Sequence, residues 1–381
     1  MNLMTSELFR AQFPGLERTV HLASCSQGAF SRELAGDLLD FQSSIMERGA
    51  PWDLWMDKVE EARIRFAAFI GAAPQEIAVV PNASTGAYQI ASTQSYGDGR
   101  DRIITSELEF PSVANVWVAQ QGRGAQIGFA EEHGGTVRAE DYAVLIDERT
   151  KLVSVPLITY RNGSRLPVAD VIEMARAHGA KSFVDAYQGA GVEPINVREL
   201  GCDYLVTGSL KYMLGVAGVA FLYVRGGLTD DVPPQLTGWF GRRDPFAFDP
   251  RKVDFPETAR RFESGTYAVP AVYAAIAGMK MLAQLDPAAV KRHVAGLTLE
   301  LTEELTAAGI ELDSPLDAAL RGPQVALIDE NPSELAAFLE SKSIIASPRG
   351  RALRVAFHFY SVNNDITALL KALDEWRYLR N

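Results

Sequence analysis

Apolar positions along the chain switch between two periods. Trp55, Val59, Ala62, Phe66 and Phe69 recur at spacings of four and three, the stripe of an amphipathic helix, and Gly71 closes it. The apolar run 77–80 then predicts a short strand, and the segment Pro81-Asn82-Ala83-Ser84-Thr85-Gly86 leads into a second helix. Residues 102–105 read as a strand, and Pro111 opens the next helix at a position that proline favours. The clearest unit covers residues 152–187. A buried strand over 152–158 is followed by turn-rich residues 161–167, then a helix with Val171, Ile172 and Ala175 on one face and Gly179 as its stop, then a strand at 182–184. Strand, helix, strand at this spacing is a right-handed crossover, which predicts a mainly parallel sheet covered on both faces. Such sheets bind ligands at the carboxyl ends of their strands.

From about residue 255 the texture changes. Ala- and Leu-rich helical patterns at 269–285 and 287–308 precede short strands near 325–328 and 353–357 and a closing helix. The expected organisation is therefore an α/β chain with an N-terminal segment (1–20) that packs on the small domain, a large ligand-binding domain (21–255) and a small α+β domain (256–381). No repeat, low-complexity tract or long linker interrupts it.

Composition narrows the function. The 381 residues carry 37 basic and 48 acidic side chains, a formal charge of -11, which argues against nucleic acid because phosphate backbones need a basic face. The apolar stretch 267–282 contains Pro270 and Lys280 and falls short of a membrane span, so a buried helix is expected there. Glu7 and Arg10 interrupt the place where a signal peptide would need its apolar core. Cys25 and Cys202 form no CxxC motif, and the five histidines show no metal-ligand spacing. Dinucleotide, P-loop, GxSxG and HExxH signatures are absent. A cytoplasmic, metal-free protein working on a small molecule is the expectation.

Three segments at strand ends carry candidate chemistry. Around Ser84 and Thr85, free N–H groups of a helix start and two hydroxyls can cup a phosphate; taken alone, either residue reads first as a helix cap. Asp185, at the end of an apolar strand and three residues before Gln188, needs a cationic partner if buried; a protonated pyridine nitrogen would serve, as would a cap or a surface ion pair. Lys211, in Ser209-Leu210-Lys211 between two apolar segments, would have its pKa lowered by desolvation, which suits an amine that attacks an aldehyde; a lysine snorkelling from a loop is the simpler account of it singly.

In this order, with the lysine 26 residues after the aspartate, the three segments resemble the class V aminotransferase family of fold-type I pyridoxal 5′-phosphate (PLP) enzymes. The likeness runs from about residue 20 to residue 370 and is most specific over residues 183–225, FVDAYQGAGVEPINVRELGCDYLVTGSLKYMLGVAGVAFLYVR. It implies an α/β fold with a mainly parallel sheet of the seven-stranded type in a large domain, plus a smaller α+β C-terminal domain. It also implies that Lys211 forms the Schiff base, Asp185 pairs with the ring nitrogen, and Gln188 approaches the phenolic oxygen. Ser84, Thr85 and Ser209 would hold the phosphate, and Phe110 would stack over the ring. RFESGTYA resembles the family segment in which Thr266 reaches the phosphate of a neighbouring subunit, which implies a homodimer with shared sites. LRVAFHFYSVNND resembles the segment whose arginine, here Arg354, grips the substrate α-carboxylate; His358 beyond it is read as structural.

Several features resemble the kynureninase branch: Tyr160-Arg161-Asn162-Gly163, Glu109-Phe110-Pro111-Ser112, Tyr212 after the lysine, and Gly238-Trp239-Phe240-Gly241. Tyr160 and Trp239 are accordingly expected at the substrate. Leu210, Arg242 and Gln188 depart from that branch, and residues 344–351 lack the loop cysteine of cysteine desulfurases. Cys202 reads as core, and Cys25 lies where the N-terminal segment skirts the site. Transamination is placed first; a kynureninase-like hydrolase or β-lyase is the alternative, and an inactive PLP-binding regulatory module the alternative from another class. Arg242 and Arg243 raise the expectation of an acidic substrate side chain.

Overall fold

The computed structural model describes residues 4–97, 99–229 and 232–380. Its strands, in chain order, are β1 (Val20–His21), β2 (Ile77–Val80), β3 (Arg102–Ser106), β4 (Gln126–Ala130), β5 (Thr150–Pro156), β6 (Lys181–Asp185), β7 (Tyr204–Gly208), β8 (Ala220–Val224), β9 (Gln324–Ile328), β10 (Ile344–Ile345), β11 (Ser347–Arg349) and β12 (Ala352–Ala356). Seven of them form one sheet in the order β2-β8-β7-β6-β5-β3-β4. Four of its pairings, from β7 through β6, β5 and β3 to β4, are parallel, so the expected fold class holds. β8 runs against both its neighbours. Its link to β7 is a short turn-rich segment, and parallel neighbours would need a longer crossover.

Strands buried on both faces have to be apolar throughout, and β2, β7 and β8 are buried at every residue. The β5–helix–β6 unit is the predicted crossover, with the helix at Val168–Ala177 and Gly179 at a φ of 68° just beyond it. Phe183 of β6 meets Trp117 edge-on at 5.1 Å, both fully buried, each such side chain stabilising by about 1.5–3 kcal/mol.

The helix predicted over 269–285 is Val269–Leu282, and the next is Pro287–Ala307, capped by Asp286. Val269–Leu282 is apolar all round and buried at nearly every position, packed on the helices Arg32–Arg48 and Trp52–Ile70. Among the described residues no helix is long and apolar enough to cross a membrane. A second, antiparallel sheet has the order β11-β12-β9. The N-terminal segment is tied to the region around it: Arg10 pairs with Asp365 at 2.9 Å, Phe13 packs on Tyr360, and β1 pairs with β10.

Candidate active site

Five strands of the large sheet deliver their carboxyl ends to one cavity of about 250 Å³. Asn82 and Ser84 follow β2, Phe110 follows β3, Tyr160 follows β5, Asp185 and Gln188 end β6, and Lys211 follows β7. This is the edge at which open α/β sheets bind ligands.

Lys211 has its ammonium 4.3 Å from the centre of the Tyr187 ring and 5.5 Å from that of Phe110. Burial pulls its pKa down to about 8 against the opposing pull of Asp185, so the amine is substantially neutral in weak alkali. The turn that carries it is tight: Leu214 has a φ of 61°, a left-handed value that costs a branched residue about 1–3 kcal/mol. Asp185 is buried and accepts one hydrogen bond, from the Tyr187 N–H to Oδ1 at 2.8 Å. Burial raises its pKa, while Tyr187 N–H and Lys211 work the other way. Its second oxygen has no protein partner among the described hydrogen bonds.

Gln188 donates from Nε2 to the Cys25 carbonyl at 3.1 Å, and its buried Oε1 is left without a partner. Glu109 is a second buried carboxyl beside Asp185, held by Phe110 N–H (2.9 Å) and Ser154 Oγ (2.8 Å). Burial first, and the charge of Asp185 second, push its pKa up to about 8.

Arg354, on β12, is only 1% exposed. Its guanidinium donates to the Tyr160 carbonyl at 2.7 Å, to Ser347 Oγ at 2.8 Å and to the Ser347 carbonyl at 3.4 Å. Those three bonds leave two of its five N–H groups unused, and no carboxylate neutralises it among the described residues. A buried cation of this kind is expensive unless an anion arrives.

The aminotransferase class-V family model matches residues 51–369. This chain belongs to the class V aminotransferases. The uncharacterized aminotransferase YcbU of Bacillus subtilis (strain 168) is 35% identical over 369 residues, which cover 97% of this chain and 96% of that protein. Kynureninase of Pseudomonas fluorescens is 29% identical over 71% of this chain and 67% of its own length. Among solved structures, the apo cysteine desulfurase of Thermococcus onnurineus NA1 superposes with a TM-score of 0.87 at 22% identity, covering 97% of both chains, a likeness of fold. The cofactor of this class V enzyme is pyridoxal 5′-phosphate. The cavity fits it on its own chemistry: a neutralisable amine, an open acceptor on Asp185, an orphaned Gln188 oxygen and a helix start. Ala83 and Ser84, in the first turn of the helix Ala83–Ser92, donate their N–H groups to no described acceptor.

The class V expectations map unevenly onto this geometry. Lys211, Asp185, Gln188, Ser84, Phe110 and Tyr160 share the cavity. The helix cap is Asn82, whose Oδ1 accepts from Thr85 N–H and Thr85 Oγ1, so the cap belongs neither to Ser84 nor to Thr85. Ser209 is fully buried behind the cavity wall and donates its hydroxyl proton to the Val216 carbonyl at 2.9 Å, which leaves its lone pairs unused. Thr266 is exposed in a separate hollow of about 210 Å³. Trp239, expected at the substrate, packs with Trp52, Phe246 and Phe248 and does not line the Lys211 cavity of its own chain. Arg242 is likewise withdrawn: it pairs with Asp254 at 3.1 Å and donates to the Asp249 carbonyl. Of the two residues that raised the acidic-side-chain expectation, Arg242 and Arg243, the first is thus already paired.

His358 is structural, as expected. One ring nitrogen meets the Tyr212 carbonyl at 2.9 Å and the other accepts from Phe359 N–H, which fixes a neutral tautomer, and burial lowers its pKa to about 4. Burial raises the thiol pKa of Cys25 against the pull of Arg354 and Lys211, which disfavours the thiolate. Sequence reasoning missed Tyr187 and the buried carboxyl of Glu109. Both sat inside quoted segments, and a carboxylate between Leu108 and Phe110 at a strand end was the available signal.

Proposed function

We propose that this protein transforms a small amino acid through PLP held on Lys211, and that the reaction is transamination. The observation that carries this is the Lys211 amine, depressed to about 8, beside the open Asp185 carboxylate in one cavity. Bound there, the cofactor would supply an electron sink conjugated to the substrate α-carbon. Asp185 would hold a proton at the ring nitrogen, and Phe110 would cover one ring face. Ser84 with the N–H groups of Ala83 and Ser84 would hold the phosphate, joined by Thr85 and by the lone pairs of Ser209. Gln188 would border the phenolic oxygen. Arg354 would take the α-carboxylate with its two unused N–H groups, and Lys211 Nζ would take the Cα proton. The raised Cys25 thiol and the absence of cysteine from residues 344–351 speak against desulfuration.

The same proposal includes a cytoplasmic homodimer in which Thr266 serves the neighbouring site, supported by its exposure away from the cavity of its own chain. It keeps the division into residues 1–20, 21–255 and 256–381, with Val269–Leu282 as the piece of the last part that stays packed on the helices of the large sheet.

Borohydride trapping followed by peptide mapping is expected to place the label on Lys211, and Lys211→Ala to abolish it; a label elsewhere overturns the assignment. Incubation with alanine, aspartate, cysteine and kynurenine is expected to give a keto acid and a new amino acid only when a keto-acid acceptor is present. Alanine released from kynurenine would instead establish the kynureninase-like alternative. An absorption spectrum indifferent to every amino acid would establish a regulatory module.

A further inference from the structure

A larger cavity of about 670 Å³ adjoins the Lys211 cavity, and Tyr160 lines both. Three walls enclose it: Glu132 to Gly135 after β4, Tyr160 and Arg161 after β5, and Asp313 with residues 349–352 beside the small sheet. Asn162 fixes these walls to one another. Its Oδ1 accepts from Thr159 Oγ1 at 2.6 Å, and its Nδ2 donates to the carbonyls of Gly135 (2.7 Å) and Asp313 (2.9 Å). Asn162, Thr159 and Gly135 are buried and Asp313 is half-buried, so the cleft is built rather than incidental.

Its charge does not balance. Arg161, Arg349 and Arg351 face Glu132 and Asp313, three positive groups against two negative, an excess of one. Arg161 pairs with Glu132 at 2.7 Å and with Asp313 at 3.5 Å, and Arg351 with Asp313 at 3.4 Å. Both carboxylates are thereby engaged, and the Arg349 guanidinium has no ion pair among the described residues.

Register places that free cation. Ser347 lies opposite Arg354 in the β11–β12 ribbon, so the two side chains share a face, as their hydrogen bond shows. Arg349, two residues beyond Ser347, projects from the same face, about 7 Å further along the strand. The positive fields of both arginines reach the Lys211 amine.

We propose that Arg349 is a specificity residue that receives a second anionic group, carried on the side chain of an amino-acid substrate whose α-carboxylate is held by Arg354. The proposal rests on the function proposed above and adds the substrate class: amino acids with an anionic side chain. The ligand would lie with its α-carbon in the Lys211 cavity and its side chain passing Tyr160 into the cleft.

The test is a titration of the holoenzyme, read by cofactor absorbance, with aspartate and glutamate against asparagine and glutamine. The anionic members are expected to bind about tenfold more tightly than their amides. In Arg349→Ala this ratio should fall close to one, and in Arg349→Lys, which keeps the charge without the fork, it should largely return. Arg349 is exposed at a strand end, so neither change threatens the fold. Equal affinity for acids and amides in the unaltered enzyme, or a ratio that survives in Arg349→Ala, overturns the proposal while leaving the amino-acid function standing. No absorbance change with any of the four, or with other amino acids, would sink the function itself and this inference with it.

Discussion

Glu109 is a buried carboxyl whose hydrogen bonds come from neutral donors, and that sets its protonation. Phe110 N–H and Ser154 Oγ supply dipoles, whereas Asp185 nearby has the Lys211 cation to offset its charge. Two carboxylates in one dry region do not both ionise readily, and near neutral pH Glu109 keeps its proton, which spares Asp185 a second negative charge where the proposal places the ring nitrogen. With its pKa raised from 4.5 to about 8, Glu109 binds in the folded state a proton that the unfolded chain has already released. Its contribution is therefore fully present below about pH 4.5 and is lost as pH rises through 8. For the apoprotein, the loss between pH 5 and pH 8.5 should be on the order of a few kcal/mol. Glu109→Gln removes the titrating group, so the difference between variant and parent in urea-unfolding free energy should shift in favour of the variant over that interval. A pH-independent difference would show that Glu109 is ionised throughout.

At the scale of elements, the Lys211 turn between β7 and β8 is held by close backbone approach. Gly278 presents its bare Cα to this turn from within Val269–Leu282, and a Cβ there would run into the Met213 carbonyl oxygen and come within 3.0 Å of the Leu214 carbonyl carbon. Gly191, at a φ of 105°, similarly faces the Tyr212 carbonyl. Gly278→Ala thus sets two effects against each other: helix propensity favours alanine by about 1 kcal/mol, and overpacking against backbone costs about 1–3 kcal/mol. Overpacking should win, lowering the melting temperature by a few degrees and loosening cofactor retention, because the obstructed atoms belong to the lysine turn. A raised melting temperature would mean that the helix moves aside freely. Such contacts explain what was legible in the sequence and what was not. β2, β6 and the crossover helix announced themselves because local periodicity follows burial, and Lys211 and Asp185 stood out as charges at the ends of apolar runs. The packing of Trp239 and Arg242 was not legible because the folding of their loop depends on Trp52 and Asp254, which no local pattern reveals. The Arg349 cleft needs three segments far apart in the chain, and only the assembled ribbon register shows which arginine is left over.

On the scale of the whole molecule, the proposed dimer is supported by where Thr266 is held. Glu263, fully buried in the same RFESGT segment, pairs with Arg63 at 2.5 Å, accepts from Val79 N–H at 2.8 Å and is also bonded by the Tyr267 hydroxyl. The segment is thus clamped to β2, and Thr266 is fixed outward in its own hollow instead of being free to fold back over the Lys211 cavity. The proposal accordingly has Thr266 make its phosphate contact to another copy. Complementation tests this directly. Lys211→Ala lacks the amine, and Thr266→Ala weakens the phosphate contact enough to show at limiting PLP. Each homodimer carries two damaged sites, but a mixed dimer has one site doubly damaged and one with Lys211 from one chain and Thr266 from the other. If equal amounts are dissociated and re-associated at random, half the dimers are mixed and about one quarter of all sites are whole. Activity at limiting PLP should therefore rise from the low level of either variant towards about one quarter of that of the unaltered enzyme. If Thr266 served the site of its own chain, no re-association would create a whole site, and the mixture would do no better than the average of its two components.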